Sequence, residues 1–595
     1  MNMSRRGVVA ALGSTMLIPL VAGQALGAAQ SKADQDFAAL AKRWLDESMR
    51  LSPVSATQIG DHRFDSELDD MSAAGRNAGL AFAKETLASL DAIDKAKLSR
   101  ANQVDAALLS NALRAQIWTT ETVQDWAWNP LGYQGTAGGA LYTLMAREFA
   151  PVAQRLEAAT KRMELMPALL RQARTELVPA RVPVPHAATY SQQHKGLKSI
   201  IGEMIDPHKD QLTGEKRARL DAAIATYNAA CDEHQIWIDK TLVPAAQADF
   251  RAGAERFDKQ LAFTLETNLS RAEIRRRAEA AVVDVRKRMY EASRQALAGH
   301  ADAPPMPDTP TPEQQQAVIR AAIELAAADR PARDQLVQVA TDAVELARKF
   351  VQSHNLVTLP DGPVRVILMP EFQRGFSVAY CDSPGPLDKN LATFYAVSPI
   401  PNDWTDEQTK SFLREYNTRG IQDIGIHEAM PGHYVQLFHS NSYPSVLRAI
   451  LGSGSFIEGW AVYAESMMVE QGFKADDPLY KLTQLKVLLR AITNSIIDQA
   501  IHCDGMTQEQ MMKLLTETAF QEEREAAGKW RRAQLSVTQL STYFVGFSEH
   551  METRAESQKR QGAKFNLKTY HDGVLAFGSP PMRYARALLL NEPIQ

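Results

Sequence analysis

Cysteine is scarce in this chain, which has only three in 595 residues: Cys231, Cys381 and Cys503. They are far apart and odd in number, and no CxxC pair occurs. The sequence therefore indicates neither a disulfide framework nor a thiolate zinc site. An excess of charge of one sign is also absent, because 66 basic and 70 acidic side chains leave a formal net charge of −4. This balance gives no electrostatic reason to expect a nucleic-acid partner.

Long apolar runs are absent beyond the N-terminus. There, residues 7–29 form an uncharged run that is rich in Ala and Gly, ends in small residues and follows the paired Arg5 and Arg6. We interpret residues 1–29 as a twin-arginine signal peptide, which predicts a periplasmic or secreted protein. A membrane anchor is the alternative, because the run is long enough to span a bilayer. No cysteine lies nearby for lipid attachment, and no stable membrane insertion is expected once the signal is removed.

Strand signals are few, and most of the chain beyond residue 30 has apolar residues at helical spacing. Clusters of β-branched and aromatic residues occur at 364–368, 376–380 and 393–397. We therefore predict a mainly α-helical fold with a small antiparallel β-sheet beside the candidate metal helix. An extended peptide could bind at the edge of that sheet, although a sheet that only covers the core is the alternative.

His427 and His433 lie at the two ends of the sequence HEAMPGH, with Glu428 directly after the first. Imidazole is the commonest protein ligand of zinc, and a Glu beside a ligating His is the usual base for a zinc-bound water. A spacing of six residues rotates two side chains by about 240° on a regular helix, so the rings would diverge. Pro431 crowds the carbonyl of His427, and Gly432 accepts unusual backbone angles. We therefore predict a distorted or broken helix that brings the imidazoles together.

Glu458 is the predicted third ligand of one Zn²⁺ ion. A helix cap is the alternative role, because Ser455 and Glu458 have the spacing of a capping box. Glu465 lies on the same helix face and is either a substitute ligand or a partner that orients a histidine. His439 is a weaker candidate. Two His and one Glu favour zinc over manganese or cobalt, and the reading without a metal is a pair of unrelated histidines beside a helix break.

Three protein ligands would leave a fourth position for water, whose pKa zinc lowers towards neutrality. Glu428 is then the predicted catalytic base, which passes the proton to the leaving amine. A separate donor should stabilise the oxyanion, and Tyr543 and His571 are candidates, although core packing is the alternative for both. Arg374 or Arg554 could hold a terminal carboxylate, with structural ion pairs as the alternative.

Five segments resemble the signatures of the bacterial domain-of-unknown-function 885 family (DUF885): HEAMPGHYVQ, EGWAVYAE, LLRAITNSIIDQAIHCDGMTQEQM, TQLSTYFVG and YHDGVLAFGSPP. They follow one another in order over about residues 350–590. The family is regarded as zincin-like, similar in architecture to carboxypeptidase Taq, neurolysin and angiotensin-converting enzyme. The resemblance implies one elongated metallopeptidase domain over 30–595, with a deep channel between a helical half at about 30–350 and a metal-binding half at about 351–595.

The resemblance also implies roles for single residues. It makes His427, His433 and Glu458 the metal ligands, and Glu428 the base. It also points to a tyrosine at 543 and a His-Asp pair at 571–572. The chain departs from the pattern at Asn494, where Arg is usual, which concerns recognition of the substrate's end and not the metal site.

We therefore predict an exported zinc metallopeptidase that hydrolyses short unstructured peptides, since a channel between helical halves excludes folded proteins. A zinc hydrolase of a small non-peptide amide or ester is one alternative, because the same ligands would serve it. A non-catalytic peptide-binding protein is the other, although binding alone does not need Glu428.

Overall fold

The structure is a computed structural model that describes residues 31–374 and 377–594. The predicted signal peptide, residues 1–29, lies outside the described residues. The prediction of a mainly helical protein with a small sheet is confirmed. No helix in the described ranges is long and apolar enough to cross a membrane.

Thirteen α-helices precede the sheet in the described chain: α1 (Lys32–Leu51), α2 (Pro53–Ile59), α3 (Ala73–Asp91), α4 (Arg100–Trp118), α5 (Pro130–Met145), α6 (Val152–Glu176), α7 (Val184–Lys195), α8 (Gly214–Trp237), α9 (Val243–Ala245), α10 (Ala254–Leu265), α11 (Arg271–Ala296), α12 (Pro312–Ala328) and α13 (Leu336–His354). Local signals begin several of them. Ser270, for example, accepts a hydrogen bond from the Glu273 amide at 3.2 Å, and Thr311 forms a capping box with Gln314.

Three strands follow: β1 (Val364–Leu368), β2 (Ala379–Asp382) and β3 (Thr393–Val397). β1 and β3 have the predicted bounds, whereas β2 begins at Ala379, and Phe376 lies outside the described residues. The prediction of an antiparallel sheet is wrong for one of the two strand pairs. β3 lies between the other two strands, antiparallel to β2 but parallel to β1, because the chain returns after β2 and inserts β3 in the middle.

Eleven further helices complete the described chain: α14 (Asp406–Glu415), α15 (Thr418–Glu428), α16 (His433–Asn441), α17 (Val446–Ile450), α18 (Gly454–Glu470), α19 (Pro478–Cys503), α20 (Gln508–Lys513), α21 (Glu523–Leu535), α22 (Thr542–Gln561), α23 (Leu567–Leu575) and α24 (Met582–Leu590). The largest apolar core joins α13, the sheet, α15 and α18, with Trp460 and Tyr463 fully buried in it. β2 packs against α15, so the sheet lies beside the helix that carries the histidine motif, as predicted.

Helices α18 and α22 pack closely because each has a glycine at the crossing. A Cβ on Gly459 would lie 2.3 Å from the carbonyl carbon of Gly546, and a Cβ on Gly546 would lie 1.8 Å from the Ser455 carbonyl oxygen. Any larger side chain would therefore separate the helices. Glu458 directly precedes one of these glycines and Tyr543 lies three residues before the other, so the crossing sets the distance between two candidate site residues.

Gly459→Ala is expected to lower the free energy of unfolding by about 1–3 kcal/mol, because the added methyl group overpacks the helix crossing. Chemical denaturation of the purified protein measures this change. Gly132→Ala in α5 is the matched control, since no atom lies within 4 Å of its added Cβ, and it should raise stability by up to about 1 kcal/mol. Equal effects of the two substitutions would contradict the close-packing argument.

Candidate metal centre

The helix break lies where the Pro-Gly pair predicts it. α15 ends at Glu428 and α16 begins at His433, so the two histidines belong to different helices. The Gly432 amide donates to the Ile426 carbonyl at 2.9 Å, which folds the connection back onto α15. A Cβ on Gly432 would lie 1.9 Å from the His427 carbonyl oxygen, so only glycine fits there.

The break brings His427 and His433 together with Glu458 of α18. The ring centroids of the two histidines are 4.7 Å apart and nearly perpendicular, at 87°. Nε2 of each lies 3.5 Å from Glu458 Oε2, and one ligand atom from each of the three residues lies within 4.8 Å of the others. Two ligands at about 2.1 Å from a shared zinc ion at tetrahedral angles would be roughly 3.4 Å apart. The separations therefore fit a single divalent ion.

Glu465 supports this group as a partner of His427 and does not join it. Glu465 follows Glu458 by seven residues on α18, and its Oε1 lies 2.6 Å from His427 Nδ1. A hydrogen bond at Nδ1 fixes the imidazole tautomer, so that Nε2 presents its lone pair towards His433 and Glu458. The capping alternative for Glu458 is excluded, because α18 begins at Gly454 with Ser453 as its N-cap.

Several buried polar atoms of this group have no hydrogen-bond partner in the described chain: Glu428 Oε2, Glu458 Oε2 and His433 Nδ1. A buried carboxylate oxygen without a partner is costly, and such oxygens are rare in folded proteins. A divalent ion held by His427, His433 and Glu458 would satisfy the oxygen of Glu458. Glu428 would remain free beside the ion, which is the placement that a base requires.

Electrostatics distinguish the two glutamates. Burial raises the pKa of Glu428, although the two imidazoles oppose the shift. Burial also opposes ionisation of Glu458, but the imidazoles of His427 and His433, whose Nε2 atoms lie 3.5 Å from its Oε2, outweigh burial and hold the pKa of Glu458 well below its usual range. One carboxyl is thus kept as an anion for coordination, while the other takes up a proton more readily.

Replacing Glu465 by Gln is expected to weaken zinc binding by about 10- to 100-fold, because the neutral amide no longer polarises and orients His427 as a carboxylate does. Competition with a chromogenic zinc chelator measures the affinity. Glu470→Gln is the control, since Glu470 is on the same helix but pairs with Arg554 at 2.7 Å instead. Unchanged affinity in Glu465→Gln would show that the contact does not support a metal ligand.

A cavity of about 990 Å³ opens at these residues. The ligand candidates and Glu428 form one part of its wall, and Ala379, Tyr380 and Cys381 of β2 form another. Gln192 and Gln193 of α7 also line it, so residues from both before and after position 350 contribute. The cavity is large enough to admit an extended peptide of a few residues.

Tyr543 lies in the cavity wall, with its ring stacked 6.4 Å from that of His427. Its hydroxyl oxygen accepts hydrogen bonds from Arg532 at 2.6 Å and from Gln539 at 3.2 Å. Both acceptor positions are therefore occupied, and the hydroxyl proton is left to donate towards the cavity. Burial raises the pKa of Tyr543, against the effect of Arg532, so the group stays protonated. Tyr543 is therefore a neutral hydrogen-bond donor in the cavity wall, near the candidate ligands.

His571 is not among the residues that line the cavity; it lies in the apolar core, which is the alternative that the sequence allowed for it. Its Nε2 lies 2.7 Å from the Tyr463 hydroxyl and its Nδ1 lies 2.7 Å from the Leu356 carbonyl oxygen, both inside the apolar core. Burial lowers the pKa of His571 to about 4, which keeps it neutral. The neighbouring Asp572 accepts hydrogen bonds from the amide and hydroxyl of Thr358, each at 2.8 Å.

The two arginines that could hold a terminal carboxylate have different surroundings. Arg554 donates to Glu470 at 2.7 Å and to the Tyr463 hydroxyl at 3.2 Å, so it is a structural ion-pair member. Arg374 lines the cavity, with only the Met369 carbonyl as a hydrogen-bond acceptor in the described residues, at 2.9 Å.

A family model for bacterial proteins of unknown function, DUF885, matches residues 53–589. The chain belongs to the DUF885 family. The match covers both the helical N-terminal part and the histidine motif, which confirms the family predicted from the motifs of the second half.

Two solved structures resemble this DUF885 chain over nearly its whole length. One, from Shewanella oneidensis, is described as a "putative lipoprotein of unknown function"; it is 32% identical, with a TM-score of 0.75, and the match covers 93% of this chain and 99% of that one. The other, described as a "putative lipoprotein" from Colwellia psychrerythraea, is 16% identical with a TM-score of 0.74 and covers 94% of this chain and 99% of that one. No curated protein matches the chain.

Several cavity residues of this DUF885 protein gave no signal in the sequence. Arg524, Arg531 and Arg532 line the cavity from α21, although the run EREAAGKWRR resembles an ordinary solvated helix face. Asn494, where the family usually has Arg, also lines the cavity, and its Oδ1 is buried without a partner in the described chain. For Asn494, the departure from the family pattern was the only signal in the sequence that the residue could line a functional site.

Proposed function

We propose that this DUF885 protein is an exported zinc-dependent peptidase that hydrolyses short unstructured peptides. The observation that carries the proposal is the convergence of His427, His433 and Glu458 within 4.8 Å, beside a buried and unpartnered Glu428, in the wall of a large cavity. The arrangement of the three ligands alone would also fit a structural zinc site. A free carboxyl beside the ligands and an open cavity favour catalysis.

Zinc held by His427, His433 and Glu458 would act as a Lewis acid towards water and towards the scissile carbonyl. Glu428 takes a proton from the attacking water and delivers it to the leaving nitrogen, so that OH adds to the carbonyl carbon and H to the amine. The Tyr543 hydroxyl donates to the developing oxyanion, with Arg532 and Gln539 holding it in place. Glu465 keeps His427 oriented throughout.

The peptide is expected to lie along the free edge of β2. β2 is an edge strand of the sheet, and three of its residues line the cavity beside Glu428. Strand addition satisfies the backbone of an extended peptide, so a short unstructured chain binds in this way and a folded protein does not. We further infer a channel between two helical halves in a zincin-like fold, because cavity residues come from α7 as well as from the metal-binding part.

We also propose that the protein acts outside the cytoplasm, in the periplasm or as a secreted protein. The paired Arg5 and Arg6 before an uncharged run support export. The solved relatives from Shewanella oneidensis and Colwellia psychrerythraea are each described as a "putative lipoprotein", which also favours an envelope location.

Metal analysis of the purified full-length protein, paired with peptide-library cleavage before and after chelation, tests the proposal. We expect about one zinc per chain, cleavage of short peptides, loss of cleavage with chelator and recovery on adding zinc. Fluorogenic peptides of several lengths are compared with acyl-amino acids and esters. Exclusive turnover of the small acyl compounds would replace the peptidase by a zinc amidase or esterase, and no turnover with zinc bound would refute a hydrolase.

Tyr543→Phe is expected to lower kcat by about 10²–10³-fold with little change in KM, because it removes one donor that acts on the oxyanion in the transition state. Steady-state kinetics on the best library peptide measure the two constants. Tyr584→Phe is the control, since Tyr584 is a buried tyrosine outside the cavity wall described above. A Tyr543→Phe enzyme with full kcat would remove Tyr543 from the mechanism.

A further inference from the structure

The cavity wall is more cationic than the rest of the protein. Among the described residues, six cationic side chains line it: Arg374, Arg490, Arg524, Lys529, Arg531 and Arg532. Five carboxylates face them, three of which belong to the metal group as ligand, base or histidine partner. The whole chain is net negative, at −4, so this excess of positive charge is local. A bound divalent ion would increase it further.

Two of the six cations share one ion-pair partner within the wall. Arg490 and Lys529 each lie 3.6 Å from the Glu525 carboxylate. Buried cations elsewhere in the protein also have carboxylate partners: Arg448 pairs with Asp105 and Lys486 pairs with Glu415, each at 2.7 Å. A cation inside a protein normally has a carboxylate or several carbonyl partners.

The other four cations form no ion pair in the described part of the chain. Arg532 is engaged by Tyr543 and Gln539, as part of the catalytic group. Arg524 stacks on Trp404, 4.3 Å from the ring centroid, and Arg531 donates to Thr189 of α7 at 3.3 Å. Arg374 donates to one carbonyl. These neutral contacts hold the guanidiniums in place and leave most of their donors for a ligand.

We propose that the cavity selects anionic peptides, whose carboxylates are bound by Arg374, Arg524 and Arg531. The proposal rests on the peptidase function above and adds its substrate class. A guanidinium binds a carboxylate through two parallel hydrogen bonds, which gives direction as well as affinity. Arg524 and Arg531 are seven residues apart on α21, or about 10.5 Å along the axis. An extended peptide spans that distance in roughly three residues, so two carboxylates at this spacing would match both.

A terminal carboxylate and an acidic side chain share this chemistry, and four peptides separate them. All four have the same length and the same scissile bond. They differ in having Glu or Gln three residues from the C-terminus, and in ending in a free acid or a carboxamide. For the wild-type protein we expect kcat/KM to fall by about 10-fold or more for each carboxylate removed, as for a charge-assisted hydrogen bond. Equal turnover of the doubly neutral and doubly acidic peptides would overturn the proposal.

Single substitutions Arg374→Gln, Arg524→Gln and Arg531→Gln then assign the contacts. At least one should lower the ratio of kcat/KM for the acidic peptide to kcat/KM for the matching neutral peptide by about 10-fold, and Arg→Lys at that position should restore part of that ratio. Arg288→Gln, on the exposed face of α11, is the control. Preferences that survive all three substitutions would overturn the assignment.

Calorimetric binding of the same peptides to the Glu428→Gln protein separates this inference from the proposed function. If no peptide is hydrolysed by the wild-type protein, the peptidase proposal fails. Tighter binding of the acidic peptides would still support anion recognition in that case, and equal binding of all four would overturn it.

Discussion

Glu428→Gln is expected to lower kcat for peptide hydrolysis by about 10²–10⁴-fold, the usual contribution of a general base. The amide has the same shape as the carboxyl but cannot accept a proton from water. Because Glu428 is not one of the three convergent ligands, zinc content should stay at the wild-type value. Single-turnover kinetics and metal analysis of the same preparation measure both quantities.

Glu371→Gln is the matched control for this substitution. Glu371 is an exposed glutamate in the wall of the same cavity and is not one of the three convergent residues, and its loss should change kcat by no more than about twofold. A Glu428→Gln protein that retains all activity would argue against hydrolysis and favour a peptide-binding protein. Loss of zinc together with activity would instead make Glu428 a ligand.

His433→Ala is expected to weaken zinc binding by on the order of 10³-fold, because one of three protein ligands is removed. Activity should fall with zinc occupancy. The substitution should also abolish thermal stabilisation by added zinc, which for the wild-type protein is worth about 2.7 kcal/mol at a free concentration of 100 times Kd. Chelator competition and thermal unfolding with and without zinc measure the two effects.

His439→Ala is the control for ligand loss. His439 lies six residues further on, in the same helix as His433, and its Nε2 contacts the Thr358 carbonyl at 2.9 Å. It is therefore outside the ligand group, and its replacement should leave zinc affinity unchanged. If His439→Ala lost zinc as severely as His433→Ala, the assignment of the ligands would be wrong.

The sequence predicted the local distortion at the motif well, because the cause is local. Pro431 and Gly432 act on the backbone of the turn that contains them, and a distorted or broken helix is needed to bring histidines at this spacing together. The structure has that break between α15 and α16. The strand positions were also local signals, whereas the order of the strands was not, which is why the parallel β1–β3 pair was missed.

Residues far from the motif were harder to place, for a physical reason. His571 and Tyr543 both lie in helices near the C-terminus, and the sequence does not fix which helix face points towards the metal group. Packing turned Tyr543 into the cavity and His571 into the apolar core. The arginines of α21 resembled solvated charges, since an unpaired cation looks the same in sequence as a paired one.

By itself, the sequence determined a mainly helical chain, its membership of the DUF885 family and the residue types that a metal site needs. Tertiary structure decided which of their atoms meet. Glu458 reaches the histidines from another helix, and Glu465 contacts His427 without joining the candidate ligands. Tyr543 places its ring 6.4 Å from that of His427 and lies on the helix that crosses α18 at Gly459 and Gly546. The reason is that backbone angles depend mainly on neighbours in the chain, whereas a cavity depends on how helices far apart in sequence pack against one another.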